Sequence, residues 1–257
     1  MIYDAFATVY DHLMDDVDYD SWAEHYLALI DAKQVDPSYR LVECACGTGN
    51  LSIRLAKALP MVAGIDSASA MLRRAEEKAR MAGVNLMLAR QDMRNLTLSR
   101  PVDAVLCTCD GVNYLTQPDD TRRFFFAAYR ALKPGGVFCF DVSSVYKLKE
   151  VLGNGFQGEE RDGVAFLWQN RWDEQASIVQ MDVTFFVREE GGLYRRFREV
   201  HRQRAHALQE LEAWLQQAGF DDIAFFGEFE MRPPREKDRR IHVRARKPKG
   251  HSYDCNS

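Results

Sequence analysis

No apolar run in this sequence approaches the roughly 18 to 20 residues that a membrane helix needs, so the chain is not expected to span a bilayer. No single charge sign dominates: 34 Lys and Arg stand against 38 Asp and Glu, a formal net charge of −4. Internal repeats and low-complexity segments are missing, and the composition excludes collagen-like, disordered and disulfide-scaffold classes. The opening stretch, MIYDAFATVYDHLMDDVDYD, is acidic and lacks the basic start and apolar core of a secretory signal, which leads to the expectation of a cytoplasmic protein. What remains is a chain of 257 residues, 46% hydrophobic, long enough for one large globular domain or a domain with a small appendage.

Histidine is missing around the cysteines. Cys44 and Cys46 sit two apart in one apolar run, Cys107 and Cys109 in another, with Cys139 and Cys255 apart from them. A C-x-C on a strand points both thiols to one face, which suits small buried side chains. Zinc pairs are usually spaced C-x₂₋₄-C, so reduced, buried thiols and no metal are expected.

From about residue 38 short apolar runs alternate with helical patterns. Arg40 to Cys46 reads as a strand stopping at Gly47-Thr48-Gly49, and Leu51 to Leu59 as a helix. Met61 to Ile65 is a second strand ended by Asp66, and Ser67 is expected to cap a long helix that Gly83 closes. Asn85 to Ala89 and Val102 to Cys107 follow as strands. Then come a helix from Pro118 to Leu132, a turn over residues 133–136 and a strand from Val137 to Val142. This βαβ rhythm predicts an α/β fold, a doubly wound, mostly parallel sheet covered on both faces. The rhythm then breaks. Val164 to Trp172, Ser177 to Arg188 and Leu193 to Arg204 lack intervening helices, and the second alternates as a half-buried strand does, which predicts an inserted antiparallel meander. A helix from Leu208 to Gly219 and strands near Ile223 to Phe229 and Arg240 to Arg246 would complete the main sheet.

The densest signal is Glu43-Cys44-Ala45-Cys46-Gly47-Thr48-Gly49-Asn50 at the end of the first strand. A glycine-rich turn there lets a ligand approach the backbone, and the next helix offers unpaired N–H groups. Asp66, closing the neighbouring strand, stands where a carboxylate of nucleotide-binding α/β folds meets ribose hydroxyls. A dinucleotide fingerprint fits poorly, because Ser52 follows Gly49 by three and Ala45 takes the first-glycine place of the other alignment. Glu43 would repel a diphosphate and attract an ammonium, which favours S-adenosylmethionine over a nicotinamide dinucleotide. Lone G-x-G turns are also common in proteins that bind neither.

Five segments in register over a hundred residues resemble class I S-adenosylmethionine-dependent methyltransferases: ECACGTG, GIDSASAML, ARQDMRNL, CDGVNYL and RALKPGGVFCFDV. The resemblance implies a seven-stranded sheet ordered 3-2-1-4-5-7-6 with the last strand antiparallel. It implies cofactor contacts from Glu43, Ala45, Cys46, Gly47 and Gly49 in the first segment and from Asp66, Ser67 and Met71 in the second. Asp92 and the backbone of Met93 would meet the adenine, and Gln91 and, after the fourth strand, Cys109 would be further cofactor contacts. The N-terminal segment resembles the opening helix of bacterial small-molecule methyltransferases, including sugar-amine N-methyltransferases, which makes Tyr3 and Tyr10 candidate contacts to the methionine portion; as plain residues they read equally as core aromatics of an amphipathic helix. The same branch carries an antiparallel lid over the acceptor pocket. Its usual Tyr is replaced here by His206. The implied organisation is an N-terminal cofactor-covering segment over residues 1–36, a methyltransferase domain over 37–147 and 206–248, a lid over 148–205 and a flexible tail over 249–257.

Asp110, just past strand four, is the first candidate to orient or deprotonate an acceptor, and Tyr114 the second; Asp110 could equally be a loop cap or a cofactor contact. His201 reads either as a pocket acid or base or as a satisfied strand histidine. No Asn-Pro-Pro-Tyr or Pro-Cys context supports the nucleic-acid base methyltransferase types. Residues 1–36 hold nine acids and one Lys, whereas residues 232–249 hold nine Lys or Arg and two acids. The run from Arg188 to Arg204 has six arginines against three glutamates. Such a lid could track phosphates, but packing of acidic against basic segments is the simpler account. The expected partner is therefore a small-molecule acceptor, with RNA or protein as the alternative acceptor and a non-catalytic cofactor-binding protein as a third reading. The oligomeric state is left open.

Overall fold

Apolar side chains on both faces of consecutive short strands demand cover on both sides, and the chain supplies it in order. The computed structural model describes residues 7, 9–32 and 36–250. Tyr3 and Cys255 lie outside the described residues. A short helix, α1 (Tyr10–Leu13), and α2 (Tyr19–Leu29) precede β1 (Arg40–Cys44). Then follow α3 (Asn50–Ala58), β2 (Met61–Asp66), α4 (Ser69–Met81), β3 (Leu86–Arg90), β4 (Val102–Cys107), α5 (Pro118–Ala131) and β5 (Leu132–Ser143). After four further strands, α6 (Leu208–Ala218), β10 (Asp221–Gly227) and β11 (Arg240–Arg246) close the main sheet. Its order is β10-β11-β5-β4-β1-β2-β3, with β11 antiparallel to both neighbours. The expected doubly wound, seven-stranded order is the one found.

Strand alternation sends Val42, Val105, Phe138 and Phe140 toward α5 and α6, and Leu41, Ala104, Leu106 and Val137 toward α2 and α3. On the first side Phe124, Phe125, Phe138 and Phe140 are fully buried, with ring centroids 4.9–6.2 Å apart. Edge-to-face and tilted aromatic contacts of this kind add about 0.5–1.5 kcal/mol per pair beyond area burial.

The inserted segment forms a separate antiparallel sheet, β6 (Phe156–Arg161), β7 (Val164–Asp173), β8 (Ile178–Arg188) and β9 (Tyr194–Arg204), in the order 6-7-8-9. Runs without intervening helices, one of them alternating, revealed three of these strands. The fourth, β6, was missed because FQGEER is polar and carries Gly158, a pattern that edge pairing tolerates but does not announce. A π-helical turn over Lys147–Leu152 also joins β5 to this sheet without a sequence signal.

Three local expectations need correction. The turn foreseen over residues 133–136 belongs to β5, extended by exchange between Gly135 N–H and the Lys247 carbonyl (3.0 Å) and between Lys247 N–H and the Gly136 carbonyl (2.8 Å). Ser67 does not cap α4; the helix starts at Ser69, and the Asp66 carboxylate accepts from Ala68 N–H at 2.8 Å instead. Cys107 and Cys109 do not share a face, because β4 ends at Cys107 and the chain turns through positive φ at Cys109 and Asp110, sending one thiol toward each core. The five described cysteines are free, and burial pushes the thiols of Cys44, Cys46, Cys107, Cys109 and Cys139 upward in pKa.

Gly49 precedes α3 at φ +75°, and a Cβ there would stand 3.0 Å from Ala75 Cβ on α4, so the loop and the next helix approach at hydrogen-only distance. Gly49→Ala is expected to lower unfolding free energy by roughly 1–3 kcal/mol, and urea denaturation measures it. A midpoint equal to that of the wild type would show that α4 yields freely.

Candidate functional site

The carboxyl ends of β1, β2, β3 and β4 open on one side of the sheet, and the loops leaving them enclose a cavity of about 450 Å³. The turn after β1 places Ala45, Gly47 and Gly49 in left-handed backbone, with φ of 53°, 56° and 75°. At Gly47 a Cβ would meet nothing within 4 Å, so the backbone faces open space there. The Asp66 carboxylate pins this loop by accepting from Gly47 N–H at 2.9 Å while holding Ala68 N–H with its other oxygen.

From the first segment Glu43, Ala45, Cys46 and Gly47 border the cavity, and Asp66, Ser67 and Met71 border it from β2 and α4. Gln91, Asp92 and Met93 line it after β3, and Cys109 and Tyr114 after β4, with Tyr10 reaching in from α1. Gly49 is not on its wall; that residue serves the contact with Ala75. Asp110 is also absent from this wall and borders a second cavity of about 380 Å³ beneath the four-stranded sheet. Tyr10, Cys109 and Tyr114 border both cavities.

Several of the carboxylates are already engaged. Glu43 is 2% exposed and accepts from Thr108 Oγ1 at 2.7 Å and from Ser52 Oγ. Burial outweighs those donors and pushes its pKa up to about 7. Burial likewise raises Asp66. Asp92 is held below the usual range by hydrogen bonds from Arg94, which also reaches Asp120 at 2.9 Å. Asp110 shares the Arg240 guanidinium with Asp141. Burial opposes its ionisation, yet the charges of Arg240 and Lys147 prevail and hold it down to about 2.

Sequence reasoning missed the contacts that fix α1 over the first cavity. Asp11 accepts from Thr48 Oγ1 (2.6 Å), Asn50 Nδ2 (2.9 Å) and Lys78 Nζ (2.9 Å), so one carboxylate ties α1, the glycine loop and α4 together. It also missed Asn113, fully buried, whose amide donates to the carbonyls of Ser143 (3.1 Å) and Arg204 (2.9 Å) and links the two sheets. The CDGVNYL motif contains Asn113, but nothing in one sequence names its partners 30 and 91 positions away. His206 is buried, with Nε2 3.3 Å from the Val112 carbonyl, and does not border either cavity. His201 does border the second cavity, with Nδ1 3.4 Å from Tyr114 Oη.

A family model described as "Methyltransferase domain" matches residues 41–136. The Bacillus subtilis (strain 168) protein YqeM is 36% identical over 250 residues, 97% of this chain and 98% of that one. The dTDP-3-amino-3,4,6-trideoxy-alpha-D-glucopyranose N,N-dimethyltransferase of Streptomyces venezuelae is 27% identical over 218 residues, 83% of this chain and 89% of that one. Among solved structures, an S-adenosylmethionine-dependent methyltransferase from Clostridium acetobutylicum ATCC 824 is similar, with a TM-score of 0.86, 33% identity, and coverage of 96% of this chain and 99% of that one.

The raised Glu43 pKa has a definite sign. Folding favours the protonated acid, so its contribution is full below the unfolded value of 4.5 and is lost as pH rises through about 7. Between pH 4.5 and 8 wild type should lose up to about 3 kcal/mol relative to Glu43→Gln, read by urea unfolding of both at each pH. A difference that does not change with pH would show the carboxylate charged throughout.

Proposed function

The chain belongs to the S-adenosylmethionine-dependent methyltransferases, and from that premise we propose that it methylates a small-molecule amine held in the cavity under the four-stranded sheet. The residues of the first cavity suit S-adenosylmethionine. Its wall carries a loop backbone open at Gly47, a carboxylate at Asp66 for ribose hydroxyls and the apolar side chains of Met71 and Met93 beside Asp92. When bound, the cofactor supplies an electrophilic methyl group.

The observation that carries the reading is the shared border. Tyr10, Cys109 and Tyr114 border both cavities, so the cavities meet at these three side chains and an acceptor in one approaches the ligand of the other beside them. Fixing two reactants side by side at that meeting point is where positioning acts, and walls that exclude water protect it. Asp110, held ionised beside Arg240, is a weak base for its position and serves to orient a polarised N–H. An amine needs no stronger base, because its lone pair attacks before the proton leaves. His201, kept neutral by burial, borders the acceptor cavity and is placed to receive that proton afterwards. The named activity of the Streptomyces venezuelae relative, N,N-dimethylation of an aminosugar nucleotide, supports an amine acceptor.

The arginine-rich strand favours this reading over a macromolecular acceptor. On β7 to β9 the inward face presents Phe166, Met181, Val183 and Phe185, whereas Arg171 and Arg198 lie on the other face against Asp182. Those arginines therefore lie on the opposite face of the sheet from the acceptor cavity. Incubation with methyl-labelled S-adenosylmethionine and a host lysate lacking the protein, split into small-molecule, RNA and protein fractions, is expected to put label in the small-molecule fraction. Label confined to RNA or protein would overturn the acceptor class.

A further inference from the structure

The second cavity has a chemical polarity that the methyl-transfer step does not require. Its roof is the inward face of the antiparallel sheet, made by Phe166, Trp168, Met181, Val183 and Phe185. Its wall also carries Asp110, Lys147 and Arg240. Among these, the acid and the guanidinium are already satisfied, since Arg240 is shared by Asp110 and Asp141. Lys147 differs from both. Its ammonium is within 4 Å of no carboxylate among the described residues, although its field is felt at Asp110.

The local fold explains why this lysine stays in the cavity. Lys147 opens the π-helical turn that follows β5, and its backbone N–H is held by Ser144 Oγ at 3.0 Å. The next residue, Leu148, is fully buried against Val179, Met181 and Ala205, so the turn cannot rotate the lysine outward without withdrawing a leucine from the core. Lysines normally carry the head group to water along the stem. Here the head group is half-buried, and desolvation depresses its pKa while the neighbouring Asp110 and Asp141 support the charged form. A desolvated ammonium without an ion partner is costly unless an anion completes it. Asp16 and Glu159 also border the cavity, but both are solvent-exposed and neither pairs with Lys147. Arg161, the third cation on the wall besides Lys147 and Arg240, is engaged by Asp15 at 2.8 Å.

We propose that Lys147 is the anion-binding residue of the acceptor cavity, and that the acceptor is a flat or aromatic small molecule carrying a carboxylate or a phosphate. The inference rests on the small-molecule reading and narrows it. An apolar, ring-lined roof takes the flat body, Lys147 takes the anion, and the nucleophile is left toward Tyr10, Cys109 and Tyr114.

The test is calorimetric titration of protein saturated with S-adenosylhomocysteine, using phenylacetate, phenyl phosphate and neutral phenylacetamide as probes. At least one anion should bind ten-fold or more tightly than the amide, and whichever wins identifies carboxylate or phosphate as the source of the charge. In Lys147→Met that preference should fall below two-fold, whereas Lys147→Arg should retain a preference. Equal binding of acid and amide, no binding of any probe, or a preference that survives in a folded Lys147→Met would overturn the proposal. The wild-type comparison decides the ligand class even if a variant fails to fold. Loss of S-adenosylhomocysteine binding, or label found only in macromolecules, would instead count against the function proposed above, so the two failures are distinguishable.

Discussion

One buried guanidinium holds the working end of the molecule together. Arg240, at the start of β11, bonds both Asp110 beyond β4 and Asp141 on β5, and its guanidinium lies 4.9 Å from the Trp22 ring centroid on α2. Asp141 also accepts from Tyr26 Oη at 3.1 Å and from Asp110 N–H at 3.1 Å, and Tyr26 Oη meets His242 Nδ1 at 3.3 Å. Two strands, one helix and the loop that borders both cavities thus share one cation. Two carboxylates this close would repel each other without it, and removing one partner from a buried charge cluster costs far more than the cluster contributes net. Its value lies in geometry: it sets where the β4 loop stands, and with it Cys109 and Tyr114.

The two cavities are built by different physics. The first is bounded by backbone, with left-handed turn residues and a carboxylate clamping the loop, and it is roofed by α1 through Asp11. The second is bounded by side chains of a sheet whose inward face is apolar and whose outward face is charged. Backbone-lined sites recognise a shape common to many proteins, whereas side-chain-lined ones vary with every substitution. That difference is why the cofactor follows from family membership and the acceptor has to be argued from this chain's own residues.

Most of the fold was legible in the sequence because parallel strands buried on both faces read as short apolar runs, and because glycines and a carboxylate punctuate their ends. The Gly47 loop, Asp66 and the positions of the main strands were legible for that reason, whereas their order in the sheet came from the family resemblance. β6 was not, since a polar edge strand owes its conformation to its partner. Ser67 was misassigned as a helix cap because the Asp66 carboxylate holds the Ala68 amide, and the helix starts two residues later, at Ser69. Asp110 was singled out by position, but its acidity was set by Arg240, 130 residues away.

The sequence by itself therefore determined the doubly wound sheet, the glycine loop after β1 and the existence of an antiparallel insertion, because these rest on periodicity and on turn chemistry local to a few residues. Only the tertiary structure decided which charges are paired, which tyrosines border both cavities and that the lysine on the second cavity's wall has no carboxylate within 4 Å among the described residues. Those outcomes depend on distances between residues far apart in the chain, and electrostatic energies change with such distances and with burial rather than with sequence spacing.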